Sequence, residues 1–322
     1  MAKTERTAAL ADAEREDVWL RPPRLREGDR VVLIAPAGPV TLERIRTALR
    51  HCRRLGLDPV VGASARARDG YLAGPDPVRA ADLQLSINDP DVAAVWAIRG
   101  GYGTMRLLRQ LDFAPLLERP KAFIGFSDNT ALHLVLAQHG LVSFHAPHAG
   151  FQDFPEWTED CFRRVLFRAA PAGTLPMPPA GVAPTTLRGG VAEGPLTGGN
   201  LSLLAAMCGT PHAMQARGKI LVLEEVSEPV YRIDRMLAQL TLSGAIDGVT
   251  GLAFGQFTKV TPMRDQRPLS LVLQEWADTI GVPALANLPF GHVALNWTLP
   301  LGVRVTLDAD AGTLEVLEPA VS

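Results

Sequence analysis

The sequence predicts an α/β fold: an open parallel sheet with helices on both faces, followed by a second, mixed domain. Three observations carry this. Short apolar runs end in glycine- or proline-rich turns, amphipathic helical stretches follow those runs, and the alternation breaks at a proline-rich segment near mid-chain. At 322 residues the chain is also longer than one core usually serves.

The first run, RVVLIA at residues 30–35, is apolar, rich in β-branched residues and closed by PAGP, as a strand buried on both faces would be. Leu42, Ile45, Leu49 and Cys52 then recur at helical spacing, and Gly56 stands where that helix would end. A second strand, VAAVWAI at 92–98, leads into RGGYG at 99–103 and a further helix carrying Met105, Leu108 and Leu111. AFIGF at 122–126 turns directly into Ser127, Asp128 and Asn129, and the helix beyond buries Leu132, Val135 and Leu136 before Gly140. Residues 141–144 form one more strand.

The prolines clustered at 171–184 cannot sustain a helix or a central strand, so residues 169–188 are expected to be a linker. Beyond it lie a glycine-rich stretch (189–200), a buried strand (KILVLEEV, 219–226) and a helical stripe of Ile233, Met236, Leu237 and Leu240. A strand at 249–257, a helix at 269–280 and strand-like segments within 302–318 follow. The expected division is an N-terminal extension (1–24), an α/β domain (25–168), the linker, and a C-terminal domain (189–322).

Composition narrows the function. With 47% hydrophobic and 20% charged residues the chain has an ordinary globular balance and not that of a disordered protein. A net charge of −2 gives no electrostatic reason to expect nucleic acid or an anionic membrane as partner. No apolar run is long enough to span a bilayer, and residues 1–24 lack the apolar core of a secretory signal. Three scattered cysteines, Cys52, Cys161 and Cys208, suggest neither a disulfide framework nor a zinc site and suit a reducing compartment; the cytoplasm is expected.

Chemistry concentrates at a few turns. A serine placed where a strand becomes a helix projects its hydroxyl from the carboxyl edge of the sheet, beside the helix N-terminal amides. Those amides suit the negative charge that develops on an attacked carbonyl oxygen. Ser127 fits this role, although Asn129 replaces the last glycine of the glycine-x-serine-x-glycine elbow, and Ser127 or Asp128 could instead simply cap the helix. Gly100 and Gly101 form a second strand-to-helix turn whose uncovered amides could supply half of an oxyanion hole, or could hold a phosphate. Among seven histidines, His292 stands out in a loop fixed by glycine and proline. His145 and His148 lack a third metal ligand nearby. Glu224 and Glu225 end an apolar strand, where carboxylates need partners, and they must point to opposite faces; spacing does not choose between them.

IRGGYG (98–103), IGFSD (124–128), VLEEV (222–226) with YRIDR (231–235), and FGH (290–292), in this order, resemble the LD-carboxypeptidases, the family that also contains the microcin C immunity peptidases. Residues 30–39 and LTGGN (196–200) fit as well, so the resemblance runs from about residue 25 to the end of the chain. It implies a flavodoxin-like N-terminal domain and a smaller, β-rich C-terminal α/β domain, with the site between them in a homodimer. It also implies a serine peptidase with Ser127 as nucleophile, His292 as base and Glu224 as orienting carboxylate. The amides of Asp128 and of Gly100 or Gly101 would form the oxyanion hole, with no metal or organic cofactor.

The RGGYG motif is similar to the cell-wall-recycling branch, which removes the terminal D-alanine from murein tetrapeptides. Such exo-cleavage needs a cation for the free carboxylate; Arg99 and Arg232 are the candidates, and Tyr102 would line the pocket. The immunity branch would act on a peptidyl-nucleotide antibiotic and would want an aromatic surface, for which Trp157 is the candidate. A non-catalytic α/β binding module is the remaining alternative, but it leaves Glu224 and His292 without a joint role.

Overall fold

The computed structural model of the protein describes residues 19–152, 154–264 and 267–322. Of the expected N-terminal extension, residues 1–18 lie outside the described residues. Leu20 bridges Leu141 in parallel, and the Arg24 amide donates to the Ser322 carbonyl at 2.9 Å, so the chain enters beside its own C-terminus.

The fold is mixed α/β with two sheets. The first takes β1 (Arg30–Ile34), β2 (Asp58–Val61), β3 (Val92–Ala97), β4 (Ala122–Gly125) and β5 (Ser143–His145), all parallel, in the order 5-4-3-1-2. That is the doubly wound flavodoxin-like order, whose switch point lies between β1 and β3. Helices α1 (Leu42–Arg54), α2 (Asp76–Asn88), α3 (Pro115–Glu118), α4 (Thr130–Gln138) and α5 (Glu156–Leu166) join and follow these strands. Thr41 caps α1 by accepting from the Arg44 amide, and Asp76 begins α2 just after Pro75. Along β1, Val31 and Leu33 enter one core while Val32 and Ile34 enter the other, which is why this run lacks polar alternation.

The second sheet contains β6 (Pro171–Thr174), β7 (Thr185–Arg188), β8 (Val191–Asn200), β9 (Ile220–Val226), β10 (Gly251–Thr258), β11 (Ala284–Ala286), β13 (Arg304–Asp308) and β14 (Thr313–Pro319). Its centre, from β8 through β11, is parallel. Helices α6 (Leu201–Met207), α7 (Val230–Leu242) and α8 (Leu269–Ile280) belong to this half. Both hydrophobic clusters include residues of both sheets.

Several expectations change. The proline-rich segment contributes β6 and β7, which are the two outer strands of the second sheet, the position where proline is tolerated. The glycine-rich stretch is strand β8: a Cβ at Gly198 would meet the Val222 backbone, and one at Gly199 would lie 2.7 Å from Thr130 Oγ1. The helix expected around Met105, Leu108 and Leu111 is replaced by two 3-10 turns, Thr104–Arg106 and Leu108–Gln110. There the Thr104 amide is taken by the Asp128 carboxylate at 2.8 Å. Finally, β12 (Leu299–Leu301) returns to the first sheet and pairs with β5 in antiparallel fashion. Three of the residues expected in the C-terminal domain therefore extend the N-terminal sheet.

Candidate active site

Ser127 follows β4 and has φ 60°, a left-handed conformation costly to a residue with a side chain. It does not cap the helix: the turn Ser127–Asn129 has no side-chain cap, and the hydroxyl lies 3.2 Å from His292 Nε2. Asp128 is likewise no cap, since its carboxylate accepts the Thr104 amide and ties this turn to the glycine loop after β3. Burial raises the pKa of that carboxyl, against the hydrogen bonds from Thr104. Asn129, in place of the elbow's last glycine, donates to the Phe126 carbonyl at 3.0 Å.

The glycine loop presses against the nucleophile turn. A Cβ on Gly100 would sit 2.9 Å from Ser127 Cβ and 3.0 Å from its Oγ, so only glycine allows this approach. The amides of Asp128, Gly100 and Gly101 donate to no protein acceptor among the described residues.

His292 reaches Ser127 from the other sheet. Its loop is pinned by Asn296, whose amide donates to the Gly291 carbonyl at 2.7 Å and whose Oδ1 accepts the Gly291 amide at 3.2 Å. Gly291 has φ 112°, and a Cβ there would lie 2.9 Å from Glu224 Cβ. The imidazole leans on Phe126 with ring centroids 4.7 Å apart, and its Nδ1 is 2.7 Å from Glu224 Oε2.

The two glutamates separate as strand alternation requires. Glu224 is wholly buried and faces His292. Glu225 faces away and accepts from the Ser202 amide (2.8 Å), the Ser202 hydroxyl (2.7 Å) and its neighbour's amide at Val226 (2.8 Å). Their pKa shifts are opposite. Burial would raise Glu224, but the imidazoles of His145 and His292 outweigh it and hold the carboxyl at about 2. Of these, His292 makes a hydrogen bond, whereas His145 Nε2 stands 4.0 Å from Oε1. Burial dominates at Glu225 and raises it. His148, wholly enclosed, is held well below its usual pKa by burial and then by His292, so it does not add a second positive charge.

At the β1/β3 switch point a cavity of about 720 Å³ is lined by Gly38, Pro39, Arg68, Tyr71, Arg99 and Tyr102, among others. Tyr71 and Tyr102 stand 5.8 Å apart, and Arg99 donates to the Pro39 carbonyl at 2.9 Å. Burial and the nearby Arg44 lower the Arg99 pKa, and among the described residues neither Arg99 nor Arg68 forms an ion pair. Buried Arg79 braces this wall from behind by donating to the carbonyls of Pro36, Gly74 and Gly103.

Not every expected residue converges here. Arg232 sits on the exposed start of α7, paired with Glu228 at 3.3 Å, and does not line this cavity. Trp157 packs half-buried against the core. Arg68 and Tyr71 line the cavity without a signal in the sequence, whereas Asn200 closes the LTGGN segment and His145 carries only the weak hint of a metal pair. Among the described residues no cluster of three or more His, Cys, Asp or Glu could hold a metal ion.

A serine on a strained strand–helix turn, linked through an imidazole to a buried carboxylate, can form and hydrolyse an acyl-enzyme. That is the chemistry of a serine hydrolase. Residues 31–146 match the LD-carboxypeptidase N-terminal domain, and residues 193–307 match the LD-carboxypeptidase C-terminal domain. The chain belongs to the LD-carboxypeptidase family and is a carboxypeptidase-type hydrolase. It is 44% identical, over 94% of its length and 97% of the other chain, to a Streptomyces coelicolor protein carrying a carboxypeptidase name. It is 36% identical to the murein tetrapeptide carboxypeptidase of Pseudomonas aeruginosa, covering 87% of this chain and 94% of that one. Among solved structures, MccF in complex with glutamyl sulfamoyl guanosine superposes with a TM-score of 0.86 at 25% identity, covering 94% of this chain and 100% of that one. Muramoyltetrapeptide carboxypeptidase from Oxalobacter formigenes gives 0.78 at 31% identity, covering 90% and 99%.

Proposed function

We propose that the protein is a serine-type LD-carboxypeptidase that removes the terminal D-alanine from murein tetrapeptides in cell-wall recycling. The observation that carries the reading is the unbroken chain from Ser127 Oγ through His292 (3.2 Å) to Glu224 (2.7 Å). His292 Nε2 takes the Ser127 proton as Oγ attacks the amide carbonyl between the L-centre of the diamino acid and D-alanine. The amides of Asp128 and of Gly100 or Gly101 hold the oxyanion, and Glu224 stabilises the imidazolium. The proton then passes to the departing amine, the C–N bond breaks, and water, deprotonated by His292, releases the acyl group from Ser127.

Arg99 is the cation for the free terminal carboxylate, with Arg68 beside it and Tyr102 against the peptide; the ion pair of Arg232 argues for leaving it out. In this reading Arg99→Gln lowers kcat/KM on a free-acid tetrapeptide by about 10–100-fold, the loss of one charge-assisted hydrogen bond. The same variant discriminates little between the free acid and its C-terminal amide. Continued strong preference for the free acid would remove Arg99 from this role.

The same reading assigns the two sheets to two domains that meet at the site, in a homodimer acting in the cytoplasm, with no nucleic acid, membrane or cofactor taking part. All three cysteines are free, and burial pushes the thiols of Cys52 and Cys161 up to about 12. Among the described residues no helix is long and apolar enough to cross a membrane.

The paired tyrosines favour one rival, an immunity-type peptidase that seats a nucleobase on Tyr71 and Tyr102. The deciding experiment follows D-alanine release from L-Ala-D-Glu-diaminopimelate-D-Ala beside hydrolysis of a glutamyl sulfamoyl nucleoside. Release from the tetrapeptide supports the murein reading, and turnover of the nucleoside alone replaces it with the rival.

A further inference from the structure

Glu224 is a wholly buried carboxylate held low in pKa, yet it has few donors. Among the described residues Oε2 takes His292 and Oε1 takes only the Asn200 amide at 3.2 Å, and that amide also serves Glu225 at 3.2 Å. A carboxylate offers about four acceptor sites, and a buried charge left short of donors is unfavourable.

His145 is the complementary oddity. At the end of β5 it is 0% exposed, and among the described residues both ring nitrogens lack a hydrogen-bond partner. Its ring meets Phe126 at 5.6 Å and Phe290 at 5.9 Å, edge-on. Its Nε2 lies 4.0 Å from Glu224 Oε1. That gap is too long for a hydrogen bond, and too short for a bridging water, whose two bonds of about 2.8 Å span more than about 4.5 Å. A movement of about 1 Å closes it, on the scale by which hydrogen bonds in free enzymes tighten in the working complex.

We propose that His145 is a positioning residue for Glu224, donating from Nε2–H to Oε1 as His292 becomes charged; this rests on the catalytic reading above. The neutral tautomer with its proton on Nε2 suffices. A second cation beside Glu224 would draw the carboxylate away from His292. The neighbouring His133, held at about 3 by burial, and His148, held well below its usual value by burial and then by His292, add no positive charge beside this pair.

Two substitutions separate a donor from a packing residue. His145→Phe keeps an aromatic ring among Phe126 and Phe290 but has no donor; His145→Gln packs less well but retains an N–H. The expected result is a 10–100-fold fall in kcat for Phe with KM within about threefold, and a smaller fall for Gln. A Phe variant with the wild-type kcat, or one more active than Gln, overturns the proposal. Should the Phe variant not fold, ¹⁵N-histidine spectra of the unmodified protein decide: the Nε2–H tautomer is expected at His145, and an Nδ1–H tautomer or a cation overturns it. Failure of the catalytic reading shows separately, as a Ser127→Ala variant that still turns over, while the spectra still report on His145.

Discussion

Ser127→Ala is expected to lower kcat for D-alanine release by on the order of 10⁵-fold while leaving the protein folded. Among the described residues the hydroxyl has one hydrogen-bond partner, His292 Nε2 at 3.2 Å, so its removal subtracts little from stability. Alanine inherits the same left-handed backbone at φ 60° and adds no new strain. What disappears is the atom that, in the proposed mechanism, forms the acyl-enzyme. The pressed contact between Gly100 and Ser127 remains, as do the amides at Asp128 and Gly101, so substrate binding persists. Loss of turnover, with an unfolding temperature within a few degrees of wild type and KM-like binding retained, is the result this geometry requires. Wild-type turnover by the alanine variant would falsify the assignment of Ser127 outright.

Much of the frame behind that serine was readable in the chain. β1, β3 and β4 are apolar runs ending in turns because they are buried on both faces, and a strand that stops at Ser127 before a helical stripe marks a turn at the carboxyl edge of the sheet. The order 2-1-3-4-5 puts the PAGP and RGGYG turns side by side, which is why the cavity forms there. Other features depend on distant partners and leave no local mark. The turn at 104–111 keeps the apolar spacing of a helix, yet it folds as two 3-10 turns, the first tied to the nucleophile turn through the Thr104 amide and the Asp128 carboxylate. Strand β8 looks like a loop because its glycines answer to Val222 and Thr130, far along the chain. The choice between Glu224 and Glu225 is of the same kind. Alternation says that they diverge, and only the fold shows which one meets His292.

That divergence gives the second large effect: Glu224→Gln is expected to lower kcat by on the order of 10⁴-fold, and Glu225→Gln by no more than about threefold. The amide of a glutamine at 224 would present a donor to His292 Nδ1 and favour the tautomer with its proton on Nε2, which cannot accept from Ser127. Glu225 accepts four hydrogen bonds, two of them from Ser202 at the start of α6; a glutamine loses part of them but also sheds the burial cost that raises this carboxyl, so its unfolding temperature is expected to stay within a few degrees of wild type. Acid titration adds a sign test. The Glu224 carboxyl is at about 2 in the folded protein against 4.5 as the ordinary value, so its stabilisation is present above about pH 4.5 and is lost as pH falls toward 2. Glu224→Gln removes that component of acid unfolding, and Glu225→Gln leaves it in place. If the inactive variant proves to be Glu225→Gln, the two carboxylates have been given each other's roles, and the hydrogen bonds at Ser202 would have to be reread as part of the catalytic machinery.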